Sequence, residues 1–281
     1  MIYREQNTER ALSPTSITIA DYVINPYAGC DFNCTYCYGK MNSTYQKKKK
    51  RLGDDYVEYK PNFLTVLKKE LDEKKPTHVL IGSTTEAFQL LEQKKRMTRG
   101  VLRLLNERGI SYTILTKSQY CINELPAIVR NSRNEVYFTL NTLDENLRKW
   151  IEPAASTIEQ RLETIRALIQ ASIRTVIHVG PYLPLVSDAE MIMRSVAGAA
   201  LIEFENLNLK MAEKTALFDA LNNHDPKIVA KIMDIYSHKP KYDAYYTAEK
   251  DRISQLSEKY SMPVKFFFYE FNSFYDNSVT Y

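Results

Sequence analysis

Three cysteines fall within eight residues of the segment NPYAGCDFNCTYCYGK, where Cys30, Cys34 and Cys37 are spaced C-x3-C-x2-C. Thiolates are the ligands of iron–sulfur clusters and of structural zinc. Three thiolates on one short loop can each take one iron of a cubane cluster. With no fourth cysteine close by, the last iron would stay open to an outside ligand. A zinc site would call for a fourth Cys or His at short spacing; the nearest histidine, His78, begins a predicted strand. Three buried structural thiols are the remaining alternative. A chain of 281 residues has core enough to do without disulfides. Clustered cysteines in such a chain point to metal or redox chemistry and a cytoplasmic setting.

Other residues could do chemistry on their own account. Thr139 and Asn141 alternate with Phe138 and Leu140, so both face one side of a predicted strand. A polar pair facing an interior is unusual unless it meets a ligand. His178, late in another predicted strand, reads either as a site residue or as a satisfied core histidine. Cys121 reads as a buried core thiol or a hydrogen-atom donor. The basic run Lys47–Arg51 reads as a solvated loop or a phosphate contact. Lys+Arg exceed Asp+Glu by 38 to 34, which permits a nucleic-acid partner without demanding one. MIYREQNTER lacks the apolar core of a signal peptide, and no apolar run reaches membrane-spanning length, so no membrane partner is expected.

Short β-rich runs alternate with helical patterns along the chain. Strands are predicted over Ile19–Tyr27, His78–Gly82, Tyr112–Thr116, Val136–Asn141, Thr175–Val179, Ala200–Leu207 and Val264–Phe271. Between them, apolar residues recur at helical spacing over Asn62–Glu73, Arg96–Glu107, Ile158–Gln170, Asp188–Ala197 and Thr215–Asn222. Such alternation predicts an α/β fold, a partial (β/α)6 TIM-type barrel whose chemistry sits at the C-terminal strand ends. The expected organisation is an N-terminal arm over 1–14, a core over 15–210 and a Tyr-rich C-terminal extension of helices and one strand over 211–281.

The cysteine loop resembles the signature of the radical S-adenosylmethionine (SAM) enzymes. Its extended form, N-P-Y-x-G-C-x3-C-x-Y-C-Y, is similar to the spore photoproduct lyase-like branch, as are GSTTE at 82–86, TILTKS at 113–118 and FTLNTLDENLRKWIEP at 138–153. The resemblance implies a 4Fe-4S cluster on Cys30, Cys34 and Cys37, whose open iron binds the amino and carboxylate groups of SAM. One-electron reduction by a flavodoxin or ferredoxin then yields a 5′-deoxyadenosyl radical. It further implies an adenine contact at Tyr36, the SAM amino group near Ser83, Thr84, Thr85 and Glu86, and the SAM carboxylate at Lys117. Arg161 is a weaker candidate for that carboxylate, against a surface helix position. Tyr38 matches a radical-relay tyrosine of the lyase. The lyase's hydrogen-donor cysteine has no match in Leu80–Thr84, which leaves the substrate open: a nucleic-acid lesion, a peptide or a small metabolite.

Overall fold

The computed structural model describes residues 1–210, 212 and 214–271. The β-rich runs form strands β1 (Ile2–Glu5), β2 (Leu12–Pro14), β3 (Tyr22–Ile24), β4 (Tyr27–Ala28), β5 (Tyr56–Tyr59), β6 (His78–Ile81), β7 (Ser111–Thr116) and β8 (Glu135–Thr139). They continue with β9 (Arg174–Tyr182), β10 (Leu201–Asn206) and β11 (Val264–Phe267). Eight of them make one sheet in the order β11-β10-β9-β8-β7-β6-β3-β2. From β3 to β11 every neighbouring pair is parallel, and only β2 runs antiparallel at the edge. Parallel neighbours need crossovers, and helices such as Phe63–Lys74, Met97–Glu107 and Ile158–Gln170 provide them. The edge strands β2 and β11 do not pair with each other, so the barrel is partial, as expected.

Alternation along the strands divides the sheet into two faces. Ile81, Ile114, Phe138, Ile177 and Phe204 belong to the main core, together with Leu67, Val101, Leu105, Ile165 and Leu168 of the crossover helices. In β8, β9 and β10, Thr139, His178 and Glu203 are register partners and so share the opposite face. Parallel strands present their C-terminal ends at one edge. Residues that follow β6 and β7 are thereby brought against the cysteine loop that follows β4, Thr85 to Gly29 and Lys117 to Cys34.

Three features differ from the sequence expectation. The predicted strand Ile19–Tyr27 is broken into β3 and β4, and β4 leaves the main sheet to pair with β5. Together with β1, these make a small second sheet of order β1-β5-β4. The run Lys47–Arg51 is helical, within a helix over Ser43–Leu52 that the Asn42 side chain caps at its first turn. Gly53 closes that helix in the left-handed region. Finally, β11 hydrogen-bonds to β10 as the outermost parallel strand of the main sheet.

Candidate cofactor and active site

The cysteine loop leaves β4 through Gly29, whose φ of +81° an L side chain rarely adopts. A Cβ there would stand 2.0 Å from the Tyr56 carbonyl oxygen of β5. Asp31 accepts from the amides of Leu90 at 3.1 Å and Leu91 at 3.0 Å, tying the loop to the segment after β6. Thr85 donates to the Gly29 carbonyl at 2.6 Å. On the other side, the Thr35 amide donates to the Ile151 carbonyl at 2.9 Å, and Ala154 donates back to Phe32. The segment after β6 thus holds the loop through side-chain-to-backbone hydrogen bonds and residues 151–154 hold it through backbone ones, which fixes where its thiols lie.

All four cysteines are free thiols. Cys34 is buried with Phe32 and Ala155, and Cys30, Tyr36 and Cys37 pack against that group. Burial pushes the Cys30 thiol well above its ordinary value, and the neighbouring Cys34 and Cys37 push the same way. A cation placed beside Cys30 relieves that penalty. Among the described residues no three His, Cys, Asp or Glu side chains converge as a single metal ion requires. A cubane cluster takes one thiolate at each of three irons, so its ligands need not converge on one point. The donor set fits that group. A second sign of an outside ligand is Asn141, buried at 1% exposure, whose side-chain oxygen and nitrogen both lack a hydrogen-bond partner among the described residues.

Lys117 follows β7 directly. Its ammonium lies 3.7 Å from Cys34 Sγ, 2.6 Å from the Tyr36 hydroxyl and 3.2 Å from Glu152 Oε1. It also sits 4.8 Å from the centroid of the Tyr36 ring. Glu152 accepts from the Tyr36 hydroxyl on Oε1 and from Arg161 on Oε2. Burial alone would raise the Glu152 carboxyl, but Arg161 and Lys117 overcome it and bring the pKa down to about 2. Burial would likewise lower Lys117; Cys34, Tyr36 and Glu152 reverse that and hold the ammonium charged.

Arg161 is a correction. As a surface helix residue it would be solvated; instead it is fully buried. Neither Arg161 nor Glu152 was singled out as more than a weak candidate or a motif letter. The signal was present, since Ile158, Arg161, Ile165 and Leu168 fall on one stripe, and all four are buried. A charged residue on an apolar stripe needs a buried partner, and Glu152 supplies it.

Other expected residues divide. Tyr38 is half-exposed and donates to the Ser83 carbonyl oxygen. Ser83 Oγ accepts from Asn25, and Thr84 is exposed at the same strand end. The Glu86 carboxylate receives the Thr116 hydroxyl at 2.6 Å and the amides of Lys117 and Phe88 at 2.9 Å. It therefore anchors the end of β7 from within the protein. Cys121 lies in the main core at 0% exposure, the buried-thiol alternative. His178 stands between two carboxylates, with Nε2 at 3.3 Å from Glu205 and Nδ1 at 3.7 Å from Glu203. Burial lowers its pKa, but these partners outweigh that and lift it to about 9. Neither glutamate is among the residues expected from the sequence, although Glu203 and Glu205 alternate with Ile202 and Phe204 and so share one strand face, as Thr139 and Asn141 do.

The family pattern of the radical SAM superfamily matches residues 24–194. An uncharacterized protein of Methanocaldococcus jannaschii is 28% identical over 207 residues, covering 73% of this chain and 78% of the relative. An uncharacterized protein of Mycobacterium tuberculosis is 25% identical over 86% of this chain and 75% of its own. Among solved structures, spore photoproduct lyase complexed with dinucleoside spore photoproduct aligns with a TM-score of 0.62 at 16% identity, covering 95% of this chain and 82% of that one. SuiB of Streptococcus suis bound to precursor peptide SuiA aligns at 0.51 and 17% identity, over 74% of this chain and 46% of that one. With the superfamily pattern spanning more than half of its length, this chain belongs to the radical SAM superfamily, and it is an enzyme of that class.

Proposed function

We propose that this chain is a radical SAM enzyme of the spore photoproduct lyase-like branch that abstracts hydrogen from a lesion or a modified base in nucleic acid. The observation that carries the reading is the Lys117 ammonium, buried 3.7 Å from Cys34 Sγ and held there by Glu152. Cys30, Cys34 and Cys37 hold a 4Fe-4S cluster. Lys117 presents its charge to the SAM carboxylate. Tyr36, Ser83, Thr84, Thr139 and Asn141 line the path to adenine, amino group and ribose, while Thr85 and Glu86 keep the strand-end loop in shape. When bound and reduced by a flavodoxin or ferredoxin, the cluster and SAM supply a 5′-deoxyadenosyl radical. Tyr38, half-exposed with its hydroxyl on the Ser83 carbonyl oxygen, serves as the relay.

The branch assignment is supported by the extent of the fold likeness, which runs over 95% of this chain for the lyase. A peptide or small metabolite is the second reading. It is favoured by the narrow charge balance of 38 Lys+Arg to 34 Asp+Glu, which leaves little positive excess to bind phosphates. The basic helix is also less available than its sequence suggests: Lys48 pairs with Glu58 at 2.6 Å and Lys49 with Asp55 at 2.9 Å.

Anaerobic reconstitution tests the first part. The protein should turn brown, bind about four irons per chain as a single cubane requires, and release 5′-deoxyadenosine with dithionite and SAM. Cys34→Ala should lose both properties. One bound zinc and no deoxyadenosine would sink the reading. Oligonucleotide binding tests the second part: log affinity should fall with log salt, by about 0.9 per phosphate contacted. No binding at any salt concentration would favour the peptide or small-metabolite reading.

A further inference from the structure

Glu152 is the point where three otherwise separate elements meet. Its Oε1 accepts from the Tyr36 hydroxyl of the cysteine loop and from Lys117 after β7. Its Oε2 accepts from Arg161 of the helix over Ile158–Gln170. Only 1% of its side chain is exposed, as is the case for Arg161. Two cations and one anion share this enclosure, so one positive charge is left over. That surplus stands on the Cys34 side, since Lys117 is the cation that also reaches Cys34 Sγ.

We infer that Glu152 is a positioning residue that aims Lys117 and the Tyr36 ring at the cofactor, with Arg161 serving to hold Glu152 itself. Lysine has four rotatable bonds and no preferred geometry of its own. The ammonium of Lys117 gains one from Glu152 and Tyr36, which confine it between the Cys34 sulfur and the ring face. The backbone adds a second constraint. The carbonyl of Ile151, next in sequence, accepts from both the amide and the hydroxyl of Thr35, at 2.9 and 3.4 Å. Residues 151 and 152 thus fasten the same loop twice, once through the main chain and once through the carboxylate. A side chain serving only to neutralise Arg161 would not need to spend its other oxygen on Lys117 and Tyr36.

This inference rests on the radical SAM reading and deepens it. It is tested by SAM binding to the anaerobically reconstituted protein, measured by equilibrium dialysis together with iron content. Glu152→Gln removes the anion but leaves two buried cations, so its folding is at risk. The double variant Glu152→Gln with Arg161→Met restores the original surplus of one positive charge. Arg161→Met alone keeps Glu152 on Lys117. SAM affinity should fall roughly tenfold or more in the double variant, as expected for a lost charged hydrogen bond. Arg161→Met alone loosens Glu152 but leaves its bond to Lys117, so its loss of SAM affinity should lie between the wild type and the double variant.

Equal SAM affinity in the double variant and the wild type would overturn the inference and leave Glu152 as the counter-ion of Arg161. A double variant that fails to load iron would also overturn it, placing Glu152 in the architecture of the loop. If the wild type itself binds neither iron nor SAM, the radical SAM reading fails first, a result distinct from either of these.

Discussion

At the scale of single residues, the site is built from charges that burial should expel and that partners retain. His178 shows the consequence for stability. Its folded pKa of about 9 lies above the ordinary 6.5, because Glu203 and Glu205 outweigh the cost of burial. Lys265 reaches Glu203 at 3.9 Å from β11, so the carboxylates carry a second cation. A raised pKa contributes stability that is fully present below 6.5 and is lost as pH rises through about 9. His178→Asn should therefore lower the melting temperature most at pH 6. The gap between variant and wild type should narrow steadily up to pH 9 and above. A gap independent of pH would mean that the imidazole is held for its shape and not for its charge. Gly180 sits under the same ring, where a Cβ would come within 2.0 Å of His178 Nε2. A side chain at that position would force the imidazole out of its pair of carboxylates.

At the scale of elements, strands β6 to β11 were legible in the sequence as short runs rich in Val, Ile, Phe and Tyr between polar residues, and the helices over Phe63–Lys74, Met97–Glu107 and Ile158–Gln170 by an apolar periodicity that one buried face dictates. The boundaries of the helix over Ile158–Gln170 match expectation fully. What escaped notice lacks that periodicity. The strand β1 reads IYRE, with one half-buried and three exposed residues, so no alternation marks it. All four residues of β5 are buried, including Glu58, which is paired with Lys48. The three thiols were legible as a unit, whereas the Glu152 hub joins residues far apart in the chain and only the fold reveals it.

The small sheet sets where the cysteine loop begins, with Gly29 against Tyr56 of β5, and this carries a prediction about Gly29. Gly29→Ala would press a methyl against the Tyr56 carbonyl at a positive φ, two penalties at once. Iron loading should collapse, and thermal stability should fall with it. Gly53→Ala is the control, with φ +74° but nothing within 4 Å of the added carbon. It should cost about 1 kcal/mol and leave iron content unchanged. Equal iron loading in Gly29→Ala and wild type would show that the loop finds its shape without β5.

At the scale of the whole molecule, the question is whether the Tyr-rich C-terminal stretch forms a separate unit. Its composition suggested an appendage, but its packing ties it to the site. Tyr236, Tyr242 and Tyr246 meet edge-on or tilted, with ring centroids 4.6 to 6.3 Å apart. The Tyr236 hydroxyl donates to the Leu207 carbonyl just past β10 and shares a hydrogen bond with Tyr246. Tyr236, Tyr242 and Tyr246 thus share one apolar cluster with Leu147 and Ile151, from the helix that leads directly to Glu152, and Tyr36 of the cysteine loop packs against it. Trp150, the single tryptophan, lies on that same helix over Glu145–Ile151 and is half-exposed, so its fluorescence reports on the junction. Tyr246→Ala removes a buried ring and should cost about 3–5 kcal/mol. At this chain length that lowers the melting temperature by roughly ten degrees. If extension and barrel share one core, Trp150 fluorescence and far-ultraviolet circular dichroism should shift together, in a single transition. A Trp150 transition that stays where the wild type has it, while the helical signal melts early, would make the extension an independent domain.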